Sequence, residues 1–186
     1  NDGLGDAQEV GIFTNPNAAD SDDDGLSDFY EVNNVRYYLI KGAFNWDQAY
    51  ADAISLGGML AEFESSAEWD KAMEELGPGA FDTLTGAWIG LSDSKDEGVW
   101  KWESGRSLGF NRWSIGQPDN NAGADHAEVS GGFGALLGYW FDTPKQVVRD
   151  GYILQISTNP IKADTDGDGL SDGYELGIGR YQIVKG

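Results

Sequence analysis

Hydrophobic positions are spread unevenly along the chain. Between residues 35 and 156 they fall into short periodic runs, whereas on both flanks they are sparse and separated by Asp, Gly and Ser. Tyr37 to Ile40 is a compact apolar run and predicts a strand. From Asn45 to Leu56 the apolar residues Trp46, Ala49, Ala53 and Leu56 recur at helical spacing, and Gly57-Gly58 supplies a stop. Met59 to Phe63 predicts a short strand. Ser65 to Leu76 predicts a second helix, with Ser65 and Glu68 spaced as a capping box and Gly77-Pro78 as its end. Short aromatic strands follow at Ala87 to Leu91, Val99 to Trp102, Glu128-Val129, Tyr139 to Phe141 and Tyr152 to Ile156, divided by Gly, Asn and Asp. Two helices followed by many short strands and long loops predict an α+β domain.

Composition separates this middle segment from its flanks. All seven tryptophans lie between Trp46 and Trp140, so the core belongs there. The 186-residue chain carries a net charge of −20. Residues 1–34 hold nine acids and no base, and residues 157–178 hold five more acids. That balance repels nucleic acid and anionic membrane surfaces, and no apolar run is long enough to span a bilayer, so neither nucleic-acid binding nor membrane insertion is expected. There is no cysteine, so no disulfide framework holds the domain.

The flanks have too little apolar surface to pack, but they repeat a motif. Asp20 to Glu31 (DSDDDGLSDFYE) and Asp164 to Glu175 (DTDGDGLSDGYE) both satisfy the spacing D-x-D-x-D-G-x5-E. In the first loop Asp20, Asp22 and Asp24 project carboxylates into one concavity, Gly25 permits the sharp turn, Leu26 offers its carbonyl, Asp28 contributes directly or through water, and Glu31 closes the shell. Asp164, Asp166, Asp168, Gly169, Leu170, Asp172 and Glu175 repeat the pattern. Asp2, Asp6 and Glu9 fit the second half of a third such loop. Like charges this close repel by about 1 kcal/mol per pair at 4 Å even in water, so a cation is required, and calcium is the expected one. The 144-residue offset extends beyond the loops. Thr14-Asn15-Pro16 returns as Thr158-Asn159-Pro160, and Arg36 to Gly42 returns as Arg180 to Gly186. A tandem array is therefore expected: a calcium segment over 1–34, a globular domain over 35–156, a calcium loop over 157–178, and the first strand of a following repeat over 179–186. Calcium loops of modest affinity suit millimolar calcium, which places the chain outside cells, in a microbial protein that uses ions where others use disulfides.

The order and spacing of Ala87-Trp88-Ile89-Gly90-Leu91, Trp100-Lys101-Trp102, Phe110-Asn111-Arg112-Trp113, Gln117-Pro118-Asp119 and Gly138-Tyr139-Trp140-Phe141-Asp142 make residues 36–156 resemble the C-type lectin-like domain. The flanking loops resemble thrombospondin type-3 calcium repeats. The resemblance implies a C-type lectin-like α+β fold between EF-hand-like calcium loops that string domains into stiff rods. It also implies a sugar-binding calcium held by a Gln-Pro-Asp tripeptide of the galactose type, a downstream acid and a Trp-Asn-Asp segment. Here Gln117 and Asp119 match the tripeptide. Either Asp125 or Ala124 falls at the downstream acid, Phe141 replaces the asparagine, and Asp142 remains. A second calcium position of the family is matched by Asp93 and Glu97, joined by Asn120 and Asp125, with a solvated acidic turn as the alternative. Trp113 is placed in the core or on the binding surface beside Gln117.

Other chemistry is poorly supported by the residues. His126 is the sole histidine and has no cysteine to share a zinc with, and no nucleophile elbow is present, so an enzyme is not expected. The expected function is an extracellular adhesion or recognition module that binds a protein or glycan, its neighbouring repeats spaced by calcium. A purely structural spacer and a calcium-dependent galactose-type lectin are the alternatives. If Asp166 and Asp168 are calcium ligands, replacing both with Ala removes one calcium from the stoichiometry measured by titration; an unchanged stoichiometry contradicts the assignment.

Overall fold

In the computed structural model, residues 15, 17, 18, 21, 23, 35–132 and 137–157 are described. The expected loop ligands Asp2, Asp6, Glu9, Asp20, Asp22, Asp24, Leu26, Asp28, Glu31, Asp164, Asp166, Asp168, Leu170, Asp172 and Glu175, and the expected strand over 179–186, lie outside the described residues. The chain divides into two compact units. In the N-terminal flank the described residues include one tight turn. There Asn15 Oδ1 accepts from the Asn17 amide at 3.0 Å, and the Ala18 amide donates to the Asn15 carbonyl at 2.9 Å.

The other unit is built on residues 37–155. Its described elements run in the order β1 (Val35–Phe44), α1 (Trp46–Ser55), β2 (Met59–Leu60), α2 (Ser66–Leu76), β3 (Gly86–Ser92), β4 (Lys101–Trp102), β5 (His126–Ser130), β6 (Trp140–Thr143) and β7 (Arg149–Ser157). Asn45 caps α1 in a full capping box with Gln48, and Trp46, Ala49 and Ala53 are its buried face. At α2 the box is only half formed. Ser65 accepts from the Glu68 amide, while the Glu68 carboxylate takes the amide of Glu64 at 2.6 Å instead of the cap residue's own. Gly77, with φ of 80°, ends that helix as its spacing predicts.

The strands form one mixed sheet in the order β1-β7-β3-β5-β6, with β2 on β7 and β4 on β3. β3 and β7 run parallel, pairing Trp88 with Tyr152, whereas β3–β5 and β5–β6 are antiparallel. All seven residues of β3 are buried, as expected of a central strand with both faces covered. Gly90 on this strand has a local cause: a Cβ there would stand 2.7 Å from the Leu60 carbonyl oxygen. That close approach lets the Gly90 amide bond the Ala61 carbonyl at 3.0 Å.

One aromatic cluster joins the sheet to the helices and the long loops. Trp140 on β6 lies between Phe63, Trp69, Trp102, Phe110 and Trp113, with ring centroids 5.7 to 6.1 Å away. Phe63 also contacts Tyr37 at 5.6 Å and Trp69 at 5.1 Å. Edge-to-face pairs of this kind add to the area that the rings bury. The segment over 103–106 is fixed differently. The Glu62 carboxylate, with no exposed side-chain surface, accepts from the Ser104 amide and hydroxyl and pairs with Arg106 at 2.8 Å. Phe63→Ala is expected to cost roughly 3–5 kcal/mol by chemical denaturation, whereas Val148→Ala, at an exposed position, stays within about 0.5 kcal/mol. Equal effects at the two sites contradict a core centred on these rings.

Candidate functional site

The candidate site is where three loops meet the end of β6. Trp140 fixes the strand, and the Trp140 amide donates to the Arg112 carbonyl at 2.8 Å. In return the Ser114 amide donates to the Trp140 carbonyl at 3.0 Å. The segment over 112–114 is thereby laid along β6, and a turn closed by the Gln117 amide on the Ser114 carbonyl (2.9 Å) brings the Gln117–Asp119 tripeptide back to Asp142. The Gln117–Pro118 peptide bond is cis.

Asp142 is buried, and its two oxygens are used unequally. Oδ2 accepts from the amides of Asp119 (3.0 Å) and Asn120 (2.5 Å), while Oδ1 has no donor. The Asp142 amide donates to Gln117 Oε1 at 3.2 Å. Asp93, at the end of β3, shows the same asymmetry. It is 3% exposed; its Oδ2 accepts from the Gly98 amide at 2.9 Å, and its Oδ1 has no donor. The Asp93 amide donates to the Asp125 carbonyl at 3.1 Å, joining the turn over 93–98 to the strand entering β5. Glu97 accepts from the Asn120 side-chain amide at 2.6 Å, which joins that turn to the tripeptide loop.

The electrostatics agree with this grouping. Burial pushes the Asp93 carboxyl above its ordinary range, and Asp125 and Asp142 push it further against the Gly98 hydrogen bond. The Glu97 carboxyl is raised by desolvation and then by Asp93, Asp125 and Asp142. Because Glu97 is exposed, the negative neighbours are the decisive part. Asp93, Glu97, Asn120, Asp125 and Asp142 are thus one cluster with excess negative charge and two buried carboxylate oxygens unpartnered. Buried polar atoms are ordinarily paired, so these two fit the oxygen donors of a hard cation such as calcium. The fit is incomplete in one respect: among the described residues, no group of three His, Cys, Asp or Glu side chains is gathered tightly enough to hold a metal as it stands.

The expected ligands separate accordingly. Gln117 is half-buried, with its amide oxygen engaged by the Asp142 amide, and Asp119 is exposed, with Oδ1 taken by the Asn121 amide at 3.0 Å. Of the two readings of the downstream acid, Ala124 is the buried residue and contributes only a methyl, whereas Asp125 belongs to the charged cluster. Phe141 is half-buried opposite Glu128 and brings no oxygen. Trp113 is half-buried, packed against Trp100 at 4.7 Å and against Trp140, and so belongs to the wall of the loop. Three parts of the site went unread in the sequence: the Gly98 amide, the free oxygens of Asp93 and Asp142, and Arg112, whose guanidinium lies between the rings of Trp69 (4.9 Å) and Tyr139 (5.4 Å). The Arg-Trp spacing signals an aromatic contact in general but not which rings it meets.

Comparison with known proteins places these features in context. Residues 43–143 match the family model described as Lectin C-type domain. The chain is 29% identical over 128 residues to the low affinity immunoglobulin epsilon Fc receptor of Mus musculus, covering 68% of this chain and 36% of that protein. It is 32% identical over 98 residues to C-type lectin domain family 4 member M of Nomascus concolor, covering 51% and 24%. The chain therefore spans a quarter to about a third of the length of these two relatives. Among solved structures it is similar to the cow C-type carbohydrate-recognition domain of CD23 in the presence of GlcNAc2Man3 oligosaccharide, with a TM-score of 0.57, 26% identity, and 67% of this chain and 88% of that chain covered.

Beside the cluster, His126 is buried against Trp46 at 4.5 Å, and its Nδ1 has no partner. Desolvation lowers its pKa from 6.5 to about 4, with Lys145 lowering it further and Asp125 and Asp47 opposing. In the unfolded chain the imidazole takes up its proton at higher pH, so its contribution to stability is full above about 6.5 and is lost as pH falls through about 4. That difference is worth about 3 kcal/mol at most. In His126→Phe the stability lost between pH 7 and pH 4, measured by chemical denaturation, is expected to be smaller than in the unsubstituted protein by roughly that amount. Identical pH dependence contradicts a buried neutral histidine.

Proposed function

This chain belongs to the C-type lectin domain family, and from that premise we propose that it is the recognition module of an extracellular protein, binding a glycan at a loop face organised by calcium. The family is non-enzymatic, and its relatives include an immunoglobulin epsilon Fc receptor and C-type lectin domain family 4 member M. The carrying observation is the pair of buried, donorless oxygens, Asp93 Oδ1 and Asp142 Oδ1, within the acidic cluster. Asp93, Glu97, Asn120, Asp125 and Asp142 are the residues that would hold calcium. The ion would supply positive charge that draws the turn over 93–98, the tripeptide loop and the end of β6 together, with water completing a shell of six to eight oxygens. The protein's own part is to fix the loops. Trp140 and Trp113 hold the segment over 112–114, and Asp142 holds Asp119 and Asn120, which stand exposed beside Glu97 as hydrogen-bonding groups for sugar hydroxyls.

A protein partner is the second reading. It is favoured by Ile115, wholly exposed, and by Tyr139, 39% exposed, which offer apolar contact beside the polar loop. The flanking D-x-D-x-D-G-x5-E loops would bind further calcium ions and set the spacing of neighbouring repeats. Weak single contacts would then add through effective concentration.

Native mass spectrometry in calcium tests the assignment: Asp93→Asn and Asp142→Asn are each expected to remove one bound ion while leaving those of the flanking loops. A glycan array read with calcium and with chelator is expected to give calcium-dependent binding that both variants lose. Full occupancy in both variants contradicts the assigned ligands, and binding only to a protein panel moves the function to the second reading.

A further inference from the structure

We propose that the domain over 37–155 is inserted between two flanks that leave it through one joint, the antiparallel pair of β1 and β7, so that the C-terminal flank is the nearest partner of the N-terminal flank. Neither calcium nor a glycan is needed for this: a chain that binds neither keeps the joint.

β1 is the edge of the sheet and pairs with β7. Its direction follows from two contacts. Gly151 lies so close to Ile40 that a Cβ there would overlap the Ile40 carbonyl oxygen. Six residues after Ile40, the Trp46 amide donates to the carbonyl of Lys145, six residues before Gly151, at 3.0 Å. One strand advances while the other retreats, so the pair is antiparallel. The other end agrees. Tyr37 stacks on Phe63 at 5.6 Å. The chain leading to Phe63 is bonded to the far end of β7, through the Ala61 amide on the Ile153 carbonyl (2.9 Å) and the Glu62 amide on Gln155 Oε1 (2.9 Å). Carried outward along the two strands, the Ile40–Gly151 register sets Tyr37 opposite Leu154 and Val35 opposite Ile156.

Neighbouring strands lie about 4.8 Å apart, so the chain enters and leaves the domain at almost the same point. The division of the chain agrees: residues 1–36 and 156–182 fall in one compact unit, and residues 37–155 in the other. Both flanks are acidic, with nine acids in 1–34 and five in 157–178. They repel where they start side by side, and salt or a cation relieves that repulsion. Tyr181 is the counterpart of Tyr37 in the sequence repeat. On the reading of the domain as a repeated recognition module, the step between modules is therefore set by residues 156–180 and not by the width of the domain, which raises the effective concentration of neighbouring modules.

The full chain contains no cysteine, so introduced pairs report unambiguously. Val35→Cys with Ile156→Cys is expected to form a disulfide on mild oxidation, because opposed antiparallel residues stand about 4.5–5.5 Å apart between Cα atoms, within the reach of a disulfide. Val35→Cys with Gln146→Cys, the pair that a parallel arrangement would bring together, is expected to stay reduced. For the flanks, spin labels on Asn33→Cys and Asn159→Cys are measured in chelator by double electron–electron resonance. Two residues on one side and three on the other limit their Cα separation to about 22 Å, whereas an exit on the far side of the domain would set them about 30 Å apart or more. The mean distance is expected to fall by several ångströms between about 0.01 M and about 1 M salt, as the Debye length drops from about 30 to about 3 Å. A first pair that stays reduced while the second crosslinks, or labels beyond about 30 Å at every salt concentration, overturns the joint. A short distance that salt leaves unchanged overturns the flanks as charged partners of each other.

Discussion

The packing of Trp140 is the constraint on which the loop face depends. Its ring is fully buried among five others, and its main chain holds the segment over 112–114 on both sides. Two residues later on the same strand, Asp142 holds the segment over 117–120. A four-residue strand therefore carries the registration of a largely exposed stretch over 112–120, in a domain that contains no cysteine to staple it. Close-packed aromatic rings tolerate little displacement, so rigidity in the core becomes positional accuracy at the strand end.

That accuracy has an electrostatic consequence. Asp93 and Asp142 each use one oxygen to hold a loop and keep the other buried without a donor. Burial holds the Asp93 carboxyl above its ordinary range, and the negative charge of Asp93, Asp125 and Asp142 raises that of exposed Glu97. Such a group of charges is costly until a counter-ion arrives, and the same groups that bear the cost are the groups a calcium ion would take. Recognition and stability are then linked, because a ligand that binds only the folded state adds to its stability.

Much of the fold was legible in the sequence because its local signals agree with its tertiary structure. The periodic Trp46, Ala49 and Ala53, with Ser65 and Gly77, mark the two helices to within a residue. Strand ends were read less well. The run over Val99 to Trp102 yields a strand only at Lys101–Trp102, and the strand expected over Met59 to Phe63 ends at Leu60. Ala61 is bonded to the Ile153 carbonyl and Phe63 is packed among rings, whereas exposed Val99 closes a turn on the Asp96 carbonyl, and periodicity encodes neither. In the site, family spacing suggests Asp93, Glu97, Asn120 and Asp125 as one group, and hydrogen bonds join Asn120 to Glu97 and Asp93 to Asp125. The hydrogen bond from the Asp142 amide to Gln117 Oε1 was not legible, because it depends on how the loop folds back onto β6. Ala124 and Asp125 were indistinguishable by spacing and are separated only by the strand that begins at His126.

The most direct measurement is a calcium titration followed through the side-chain carboxyl carbon resonances of Asp93 and Asp142. If the two donorless oxygens are shared by one ion, both resonances move together and saturate along a single binding curve. Resonances that stay fixed while calcium fills the flanking loops contradict a cation at the end of β6.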